Sequence, residues 1–247
     1  MNSDFLLGVL GGLGPMSTFY FCELLTSHTL ASSDADHIDM LISSRASTPD
    51  RTAYILGKST ESPLPIMQKE AKRLIDAGAN LLVIPCNTAH YFYDGLTDVS
   101  SVPILNIIEE TVRYLKKKGV TTFGLLATEG TVKSESYHRL CKKHGIQCLV
   151  PSQKDQETIS EIIYDAIKQN KPVDMTAFSQ ISNTLLDQGC ECLVLGCTEL
   201  SLLRQSGLDR EIYVDSLEVL AYRTIVACNK TPIGFPETFE CMQEDEL

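Results

Sequence analysis

The chain has 247 residues, of which 43% are hydrophobic and 21% charged, and it contains no tryptophan. This length and composition are typical of a globular protein that buries a substantial core. The formal net charge of −11 argues against nucleic acids and anionic membranes as partners, because both repel an acidic protein.

The sequence contains no segment that we expect to cross a membrane or to direct secretion. Apolar runs such as residues 81–85 and 193–196 are far too short to span a bilayer, and residues 1–4 lack the basic and apolar regions of a signal peptide. The chain has nine cysteines, an odd number, and it is large enough not to need disulfide bonds for stability. We therefore expect a cytoplasmic protein whose cysteines are mostly reduced and buried.

Short apolar runs alternate with segments of helical spacing along the chain. The apolar runs are predicted as strands at residues 5–10, 38–42, 81–85, 103–106, 121–126, 146–150, 192–195 and 211–215. Helices are predicted at residues 16–29, 66–77, 87–95, 107–118, 132–144, 156–169, 173–188 and 217–228. Residues 43–65, rich in proline and hydroxyl side chains, are predicted as a surface loop, and the acidic residues 230–247 as a loosely held tail.

The second half of the chain repeats the first in outline. Cys86 corresponds to Cys197, and residues 105–109 correspond to residues 214–218, in the same order. Alternating strands and helices predict an α/β fold of two similar lobes, each with a mostly parallel doubly wound sheet and related by an approximate two-fold axis. Ligands of such folds bind beyond the carboxyl ends of the strands, so we expect the active site in the cleft between the lobes.

Cys86 and Cys197 each follow such a strand, which predicts one thiol on either side of a small ligand. Two opposed thiols suit the removal of a proton from one face of a carbon acid and the return of a proton to the other face, which is racemisation. A thiol pKa, near ~8.5 in solution, can be lowered at a helix N-terminus, so that one cysteine is a thiolate while its partner stays protonated. Asn87 and Thr198 directly follow the thiols and begin helices whose N–H groups can bind a carboxylate.

Ordered motifs support this interpretation. They are GGLGP at residues 11–15, PDRT at 49–52, PCNTAH at 85–90, ATEGT at 127–131 and GCTEL at 196–200. In this order, over roughly residues 5–228, the chain resembles the cofactor-independent aspartate/glutamate racemase family, most closely its aspartate racemase branch. It departs from the glutamate racemase branch in having Glu199 where that branch places a histidine.

The resemblance implies a role for individual residues. Cys86 and Cys197 would be the two bases, with Cys197 serving the L enantiomer and Cys86 the D enantiomer. Arg51 and Lys168 would each bind a substrate carboxylate. The remaining residues expected around the amino acid are Asn87, Thr88, Thr128, Thr131, Thr198 and Glu199.

The same resemblance implies an isomerase of D-amino acid metabolism that acts on a small acidic amino acid, aspartate first. No pyridoxal phosphate, other cofactor or metal ion is expected, and we expect a homodimer. The resemblance places one lobe at residues 1–110 together with 219–247 and the other at residues 111–218.

Several alternatives stay open at this point. The substrate can be glutamate or both amino acids, because one methylene group changes binding by only ~1–3 kcal/mol. A related thiol isomerase or decarboxylase acting on another carboxylate, a non-catalytic amino-acid-binding protein and a thiol redox protein are further candidates. Cys190 and Cys192 lack the second cluster typical of zinc sites, and Pro15 interrupts the dinucleotide-binding pattern, so neither ligand is predicted. We interpret His90 as a packing or hydrogen-bonding residue rather than a base.

Overall fold

The computed structural model of the protein describes residues 5–243, which contain two four-stranded sheets. The first sheet comprises β1 (Leu7–Gly11), β2 (Met40–Ser44), β3 (Leu81–Val83) and β4 (Ile104–Leu105), in the order β2-β1-β3-β4. The second comprises β5 (Thr122–Leu126), β6 (Gln147–Leu149), β7 (Cys192–Leu195) and β8 (Tyr213–Asp215), in the order β6-β5-β7-β8.

All pairings within these two sheets are parallel, and the second sheet repeats the strand order of the first. In register, Leu7 of β1 lies opposite Leu81 of β3, and Phe123 of β5 lies opposite Cys192 of β7. Parallel neighbours require crossover connections, which the helices provide. The predicted fold class, two similar α/β lobes with parallel sheets, is confirmed.

The helices connect these strands and cover their faces. They are α1 (Pro15–Ser27), α2 (Arg51–Ile55), α3 (Leu64–Asp76), α4 (Tyr93–Thr97), α5 (Ile107–Lys117), α6 (Glu129–Lys133), α7 (Ser136–His144), α8 (Gln153–Glu161), α9 (Met175–Asp187) and α10 (Ser216–Ala227). Short 3₁₀ segments include Thr88–Phe92, Leu200–Ser206 and Glu237–Met242, and a π-helical turn covers Ile162–Ala166.

A layer of helices lies between the two sheets. One hydrophobic cluster joins Leu7 and Val83 of the first sheet, Phe123 and Val194 of the second, and side chains of α1, α5, α7 and α10. Helix α3 packs on the outer face of the first sheet, and α8 and α9 pack on the outer face of the second. Because helices cover both faces, β1, β3 and β7 are buried at every position instead of alternating apolar and polar residues.

The repeat extends to the way in which two central helices begin. The side chain of Asn106 caps α5 by accepting hydrogen bonds from the N–H groups of Ile108 and Glu109. At the corresponding position of the second half, Asp215 caps α10 by accepting from the N–H of Leu217. Such caps satisfy N–H groups that have no partner within the helix. The predicted lobe boundaries, after residues 110 and 218, fall inside these two helices and stay a prediction.

The prediction of a surface loop over residues 43–65 is wrong in its central part. This segment contains α2, whose first two residues, Arg51 and Thr52, are buried. The side chain of Asp50 caps the helix by accepting from the N–H of Ala53 at 2.7 Å. Propensity alone does not favour so short a helix, and its burial comes from contacts with α6.

Three predicted helices differ from those observed. The helix predicted at residues 87–95 is the 3₁₀ segment Thr88–Phe92 followed by α4. The helix predicted at residues 132–144 is two helices, α6 and α7, separated by Glu135 in the left-handed conformation with φ 54°. Thr128 starts α6 early by accepting from the N–H of Thr131. The helix predicted at residues 156–169 begins earlier, at Gln153, and ends in the π-helical turn.

The acidic tail is packed rather than loosely held as far as the structure describes it. Phe239 and Met242 are buried in the central cluster, and the Phe239 ring lies 4.8 Å from that of Tyr114 and 5.5 Å from that of Tyr222. These aromatic contacts overcome the polar composition on which the prediction rested. Residues 244–247 of the predicted tail lie outside the described residues. Within residues 5–243, no helix is long and apolar enough to cross a membrane.

Replacing Phe239 tests whether the tail belongs to the core. Phe239→Ala should lower the free energy of unfolding by about 3–5 kcal/mol, because it empties a buried aromatic position. Urea unfolding followed by circular dichroism measures this change. The neighbouring exposed variant Glu240→Ala is the control and should unfold like the wild type. Equal stability of Phe239→Ala and the wild type would show that the segment is not part of the core.

Candidate active site

Cys86 and Cys197 lie just beyond the carboxyl ends of β3 and β7, the corresponding strands of the two sheets. Both side chains are buried, and both line one cavity that holds about 260 Å³ of space not filled by protein atoms. In open α/β sheets, ligand-binding residues lie at these strand ends. The structure therefore brings together the two thiols that the sequence singled out.

The cavity also contains most of the other predicted residues. Those that line it are Arg51, Asn87, Thr88, Thr128, Lys168, Thr198 and Glu199. Thr131 is not among the lining residues, but its hydroxyl lies 2.9 Å from that of Thr88 and 3.1 Å from that of Thr128. Because the Thr88 and Thr128 hydroxyls are themselves 2.9 Å apart, the three form a closed hydrogen-bonded cluster in the cavity wall.

Arg51 is a buried cation held by backbone oxygens. Its guanidinium donates to the carbonyl groups of Leu13 at 2.7 Å and Pro49 at 3.1 Å. Within residues 5–243, Arg51 forms no ion pair with an acidic side chain, and its Nε has no hydrogen-bond partner. Burying a charge without a counterion is unfavourable. The site is therefore suited to an anionic ligand beside Arg51.

Lys168, Glu199 and Cys197 form a connected group in the same cavity. The Cys197 thiol donates to Glu199 Oε2 at 3.0 Å, and Lys168 Nζ lies 3.5 Å from Glu199 Oε1. Desolvation is the largest single influence on Lys168 and disfavours its charged form, but the Glu199 carboxylate together with Cys197 and Tyr164 outweighs it and raises the pKa of Lys168 above its ordinary value. Lys168 is thus a cation at neutral pH, and Glu199 lies between it and the thiol.

An irregular helix carries Lys168 together with Tyr164. After α8 the chain widens into the π-helical turn Ile162–Ala166 and then tightens into a 3₁₀ segment, Ile167–Gln169. Lys168 Nζ lies 4.7 Å from the centre of the Tyr164 ring, a cation–π contact, and Tyr164 also lines the cavity. Burial raises the pKa of Tyr164 to about 12, so its hydroxyl stays protonated. Helical π turns are frequent at functional sites.

The side chain of Asn87 takes part in a buried network behind the cavity. Its Oδ1 accepts from the Tyr137 hydroxyl at 2.7 Å, and its Nδ2 donates to Ser216 Oγ at 2.9 Å. The Ser216 hydroxyl in turn donates to the carbonyl of Leu195, the last residue of β7. One acceptor position and one N–H of this amide are therefore used to fix the turn after Cys86 against α7 and α10.

Two further contacts fix the turns that carry the thiols. The Thr198 hydroxyl donates to the carbonyl of Pro85 at 3.2 Å, which links the residue after one thiol to the residue before the other. His90 Nδ1 lies 2.8 Å from the carbonyl of Cys86, and its Nε2 accepts from the N–H of Ile107. Burial lowers the pKa of His90 to about 4, so the ring is neutral and donates through Nδ1. This agrees with its interpretation as a hydrogen-bonding residue.

The electrostatics of the two thiols differ from the expectation drawn from the sequence. Burial raises the pKa of Cys86, and the nearby Arg51 charge opposes this only in part. The pKa of Cys197 is raised further, because the Glu199 carboxylate adds to the effect of burial, while Lys168 opposes it. The expectation that a helix N-terminus would lower one thiol pKa is wrong here because desolvation is the larger effect.

Four lining residues were not predicted from the sequence, namely Leu13, Asp50, Thr52 and Tyr164. Asp50 and Thr52 flank Arg51, so the short helix that places Arg51 in the cavity places them there too. Tyr164 lies four residues before Lys168, a helical spacing that puts the two side chains on one face. That spacing is the signal that could have identified Tyr164.

Comparisons with known proteins show which family this chain resembles over most of its length. The family model for Asp/Glu/hydantoin racemases matches residues 10–224. A broad specificity amino-acid racemase from Bacillus subtilis is 30% identical over 236 residues, 89% of this chain and 96% of that protein. The structure of an aspartate racemase from Picrophilus torridus matches with a TM-score of 0.82 at 27% identity, covering 97% of this chain and 100% of that chain. A glutamate racemase from Francisella tularensis, in complex with D-glutamate, has a TM-score of 0.66 at 17% identity over 99% and 95% of the two chains, a likeness of fold.

The neutral state of His90 makes a prediction about stability and pH. The pKa of His90 is about 4 in the folded protein, below the ordinary histidine value of 6.5. The stabilisation of the fold by neutral His90 is therefore complete above pH 6.5 and is lost as the pH falls from 6.5 towards 4, because the unfolded chain then takes up the proton first. The full effect is on the order of 3 kcal/mol. Urea unfolding of the wild type and His90→Gln should therefore give a stability difference that is constant above pH 7 and shrinks in acid.

The quantity to compare is the difference in the free energy of unfolding between the wild type and His90→Gln. Burial raises the pKa of Glu218 to about 6, which makes both proteins less stable as the pH rises, and taking the difference removes this shared effect. The variant of an exposed histidine, His144→Gln, is the control and should follow the wild-type curve. A wild-type minus His90→Gln difference that does not vary with pH would contradict the prediction.

Proposed function

The chain belongs to the Asp/Glu/hydantoin racemase family and is a racemase, and on this basis we propose that it interconverts L- and D-aspartate through two thiols acting on opposite faces of the α-carbon. One observation carries the proposal. Two buried cysteines, supplied by corresponding strand ends of the two sheets, line one small cavity together with the cations Arg51 and Lys168. A site that combines paired acid–base groups with paired cations suits a small dicarboxylic amino acid.

In the proposed reaction, the L enantiomer loses its α-proton to the Cys197 thiolate, and Cys86 donates a proton to the opposite face. The electron pair of the broken C–H bond is delocalised into the α-carboxylate and then forms the new C–H bond. The enzyme is left with Cys197 protonated and Cys86 as the thiolate, which is the form that accepts the D enantiomer. The reverse reaction uses the same steps with the roles exchanged.

Glu199 supports the activation of Cys197 in this scheme. The hydrogen bond from the Cys197 thiol to Glu199 Oε2, at 3.0 Å, provides a direct path for the thiol proton to the carboxylate. Lys168 then lies beside both groups and stabilises the new thiolate. For Cys86, Arg51 is the cation that favours the thiolate. The scheme needs no step that pyridoxal phosphate or a metal ion would supply.

Two observations favour an acidic substrate. Arg51 is buried without a counterion within the described residues, and a substrate carboxylate would pair with it. The similarity to the aspartate racemase of Picrophilus torridus points the same way. Glutamate remains a second acidic substrate to test, since a single methylene separates the two.

A broader substrate range is a second candidate, and the outer part of the site favours it. A larger pocket of about 800 Å³ adjoins the cavity and shares Arg51, Lys168 and Glu199 with it. Its outer wall includes the apolar side chains of Met16 and Leu202. The Bacillus subtilis relative is a broad specificity amino-acid racemase. Incubating the enzyme with a panel of neutral and acidic amino acids distinguishes the two candidates.

The proposal keeps two features of chain organisation. The catalytic lobes comprise residues 1–110 with 219–247 and residues 111–218, so that each supplies one of the two cysteines. The protein acts as a homodimer, which analytical ultracentrifugation of the purified protein tests directly.

If the Lys168 ammonium group binds a substrate carboxylate, removing its charge should weaken substrate binding. Lys168→Met keeps most of the side-chain volume but removes a charge-assisted partner of the substrate carboxylate, worth about 1.5–3 kcal/mol. The KM for aspartate should therefore rise by roughly 10- to 100-fold. Steady-state kinetics in both directions measures it. The control is Lys171→Met, a nearby lysine that is exposed and lies outside the cavity. An unchanged KM for Lys168→Met would remove this residue from the substrate site.

The two-thiol reaction itself is tested in deuterated water. Incubation of the wild-type protein with L-aspartate should give D-aspartate that carries deuterium at the α-carbon, because the proton returned on the second face comes from a thiol that exchanges with solvent. Proton NMR and chiral chromatography follow the two events. Cys86→Ala and Cys197→Ala should each lose racemisation in both directions.

The matched control is Cys228→Ala, which removes a buried thiol that does not line the cavity. This variant should racemise aspartate at the wild-type rate. D-Aspartate that retains the original α-proton, or full activity of either cavity variant, would defeat the two-thiol mechanism. Racemisation of neutral amino acids at rates equal to that of aspartate would instead favour the broader substrate range.

A further inference from the structure

We propose that Gly14 is a positioning residue for Glu199: the absence of a side chain at this position leaves the space in which the Glu199 carboxylate reaches the thiol of Cys197. The inference rests on the proposed function, in which Glu199 accepts the thiol proton. Gly14 lies in the turn between β1 and α1, and it lines the outer pocket rather than the cavity that holds the two thiols.

The backbone at Gly14 does not require glycine. Its φ of −123° and ψ of 132° are those of an ordinary extended residue, which alanine adopts without strain. Gly12 of the same turn is different, since its φ is +79° and an added Cβ would lie 2.6 Å from the carbonyl carbon of Arg45. Gly12 is therefore explained by the turn, whereas Gly14 needs another explanation.

The explanation lies in the side chain that faces Gly14. A Cβ at this position would overlap Glu199 Oε1 and lie 3.2 Å from Glu199 Cδ. Glu199 has little room to retreat, because it is buried, its Oε2 accepts from Cys197 and its Oε1 faces Lys168 at 3.5 Å. An added methyl group must therefore displace the carboxylate from at least one of these two partners.

The contact also crosses the cleft. Gly14 belongs to the turn after the first strand of one sheet, and Glu199 belongs to the turn after β7 of the other. The packing of both lobes sets the distance between the two turns. Glycine at position 14 therefore leaves just enough space between the turns for the Glu199 carboxylate. Catalytic groups must be held to within a fraction of an ångström to act, and a displacement of about 1 Å can lower a rate about 100-fold.

The first test is kinetic. Gly14→Ala should still fold and unfold cooperatively, because its backbone tolerates alanine, while its kcat for aspartate racemisation falls by about 100-fold. In the Glu199→Ala background, where no carboxylate remains to be displaced, adding Gly14→Ala should change kcat by less than about threefold. Equal effects of Gly14→Ala in both backgrounds would overturn the proposal. A variant that no longer unfolds cooperatively would also overturn it, because the proposal states that the backbone tolerates alanine.

The second test does not depend on the substrate and uses Cys228, a buried cysteine outside the cavity, as an internal control. Iodoacetamide labelling, quantified for each cysteine by peptide mass spectrometry, reports how readily each thiol becomes a thiolate. The Glu199 carboxylate raises the pKa of Cys197, so its displacement in Gly14→Ala should speed labelling of Cys197 by about threefold or more relative to Cys228. An unchanged ratio would overturn the proposal. If the wild type does not racemise aspartate, the proposed function fails, but this ratio still decides the role of Gly14.

Discussion

Two thiols buried in one cavity impose the requirement around which the rest of the site is arranged. Removing a thiol from water disfavours its ionised form, and burial is the largest influence on both Cys86 and Cys197. A site that uses thiolates must therefore supply positive charge close to them. Arg51 and Lys168 supply it; Arg51 is buried, whereas Lys168 reaches the cavity from a partly exposed position. The charges that favour the thiolate are thus the same ones that are available to bind an anionic substrate.

Parallel topology explains how distant parts of the chain come to share this cavity. Both sheets have the same strand order, so the turn after β3 and the turn after β7 occupy corresponding places, and the layer of α1, α5, α7 and α10 fixes the distance between the sheets. Hydrogen bonds then lock the turns together. Tyr137 of α7 holds Asn87, and Thr198 holds the carbonyl of Pro85. The packing of the core therefore determines the geometry of the candidate active site.

The sequence predicts the parts of the structure that depend on local pattern. Apolar runs with helical segments between them identify the eight strands of residues 5–243. The paired cysteines identify the centre of the candidate site, because strand ends carry ligands in this class of fold. What the sequence does not predict depends on contacts between distant residues. Helix α2 forms because Asp50 caps it and α6 packs on it. Phe239 is buried because its ring packs against Tyr114 and Tyr222. The use of Asn87 in a buried network is of the same kind, since nothing near it in sequence reveals Tyr137.

The two halves of the site are similar in topology but not in chemistry, and this asymmetry has a consequence for turnover. Cys197 has an acidic partner in Glu199, whereas the main charge beside Cys86 is Arg51. Because two enantiomers have the same free energy in water, such asymmetry cannot change the equilibrium of racemisation. It can only change which protonation state the free enzyme prefers between turnovers. The surroundings favour the form in which Cys197 holds its proton. In the two-thiol mechanism proposed above, the return of the enzyme to the other form, through Glu199, is therefore a distinct step.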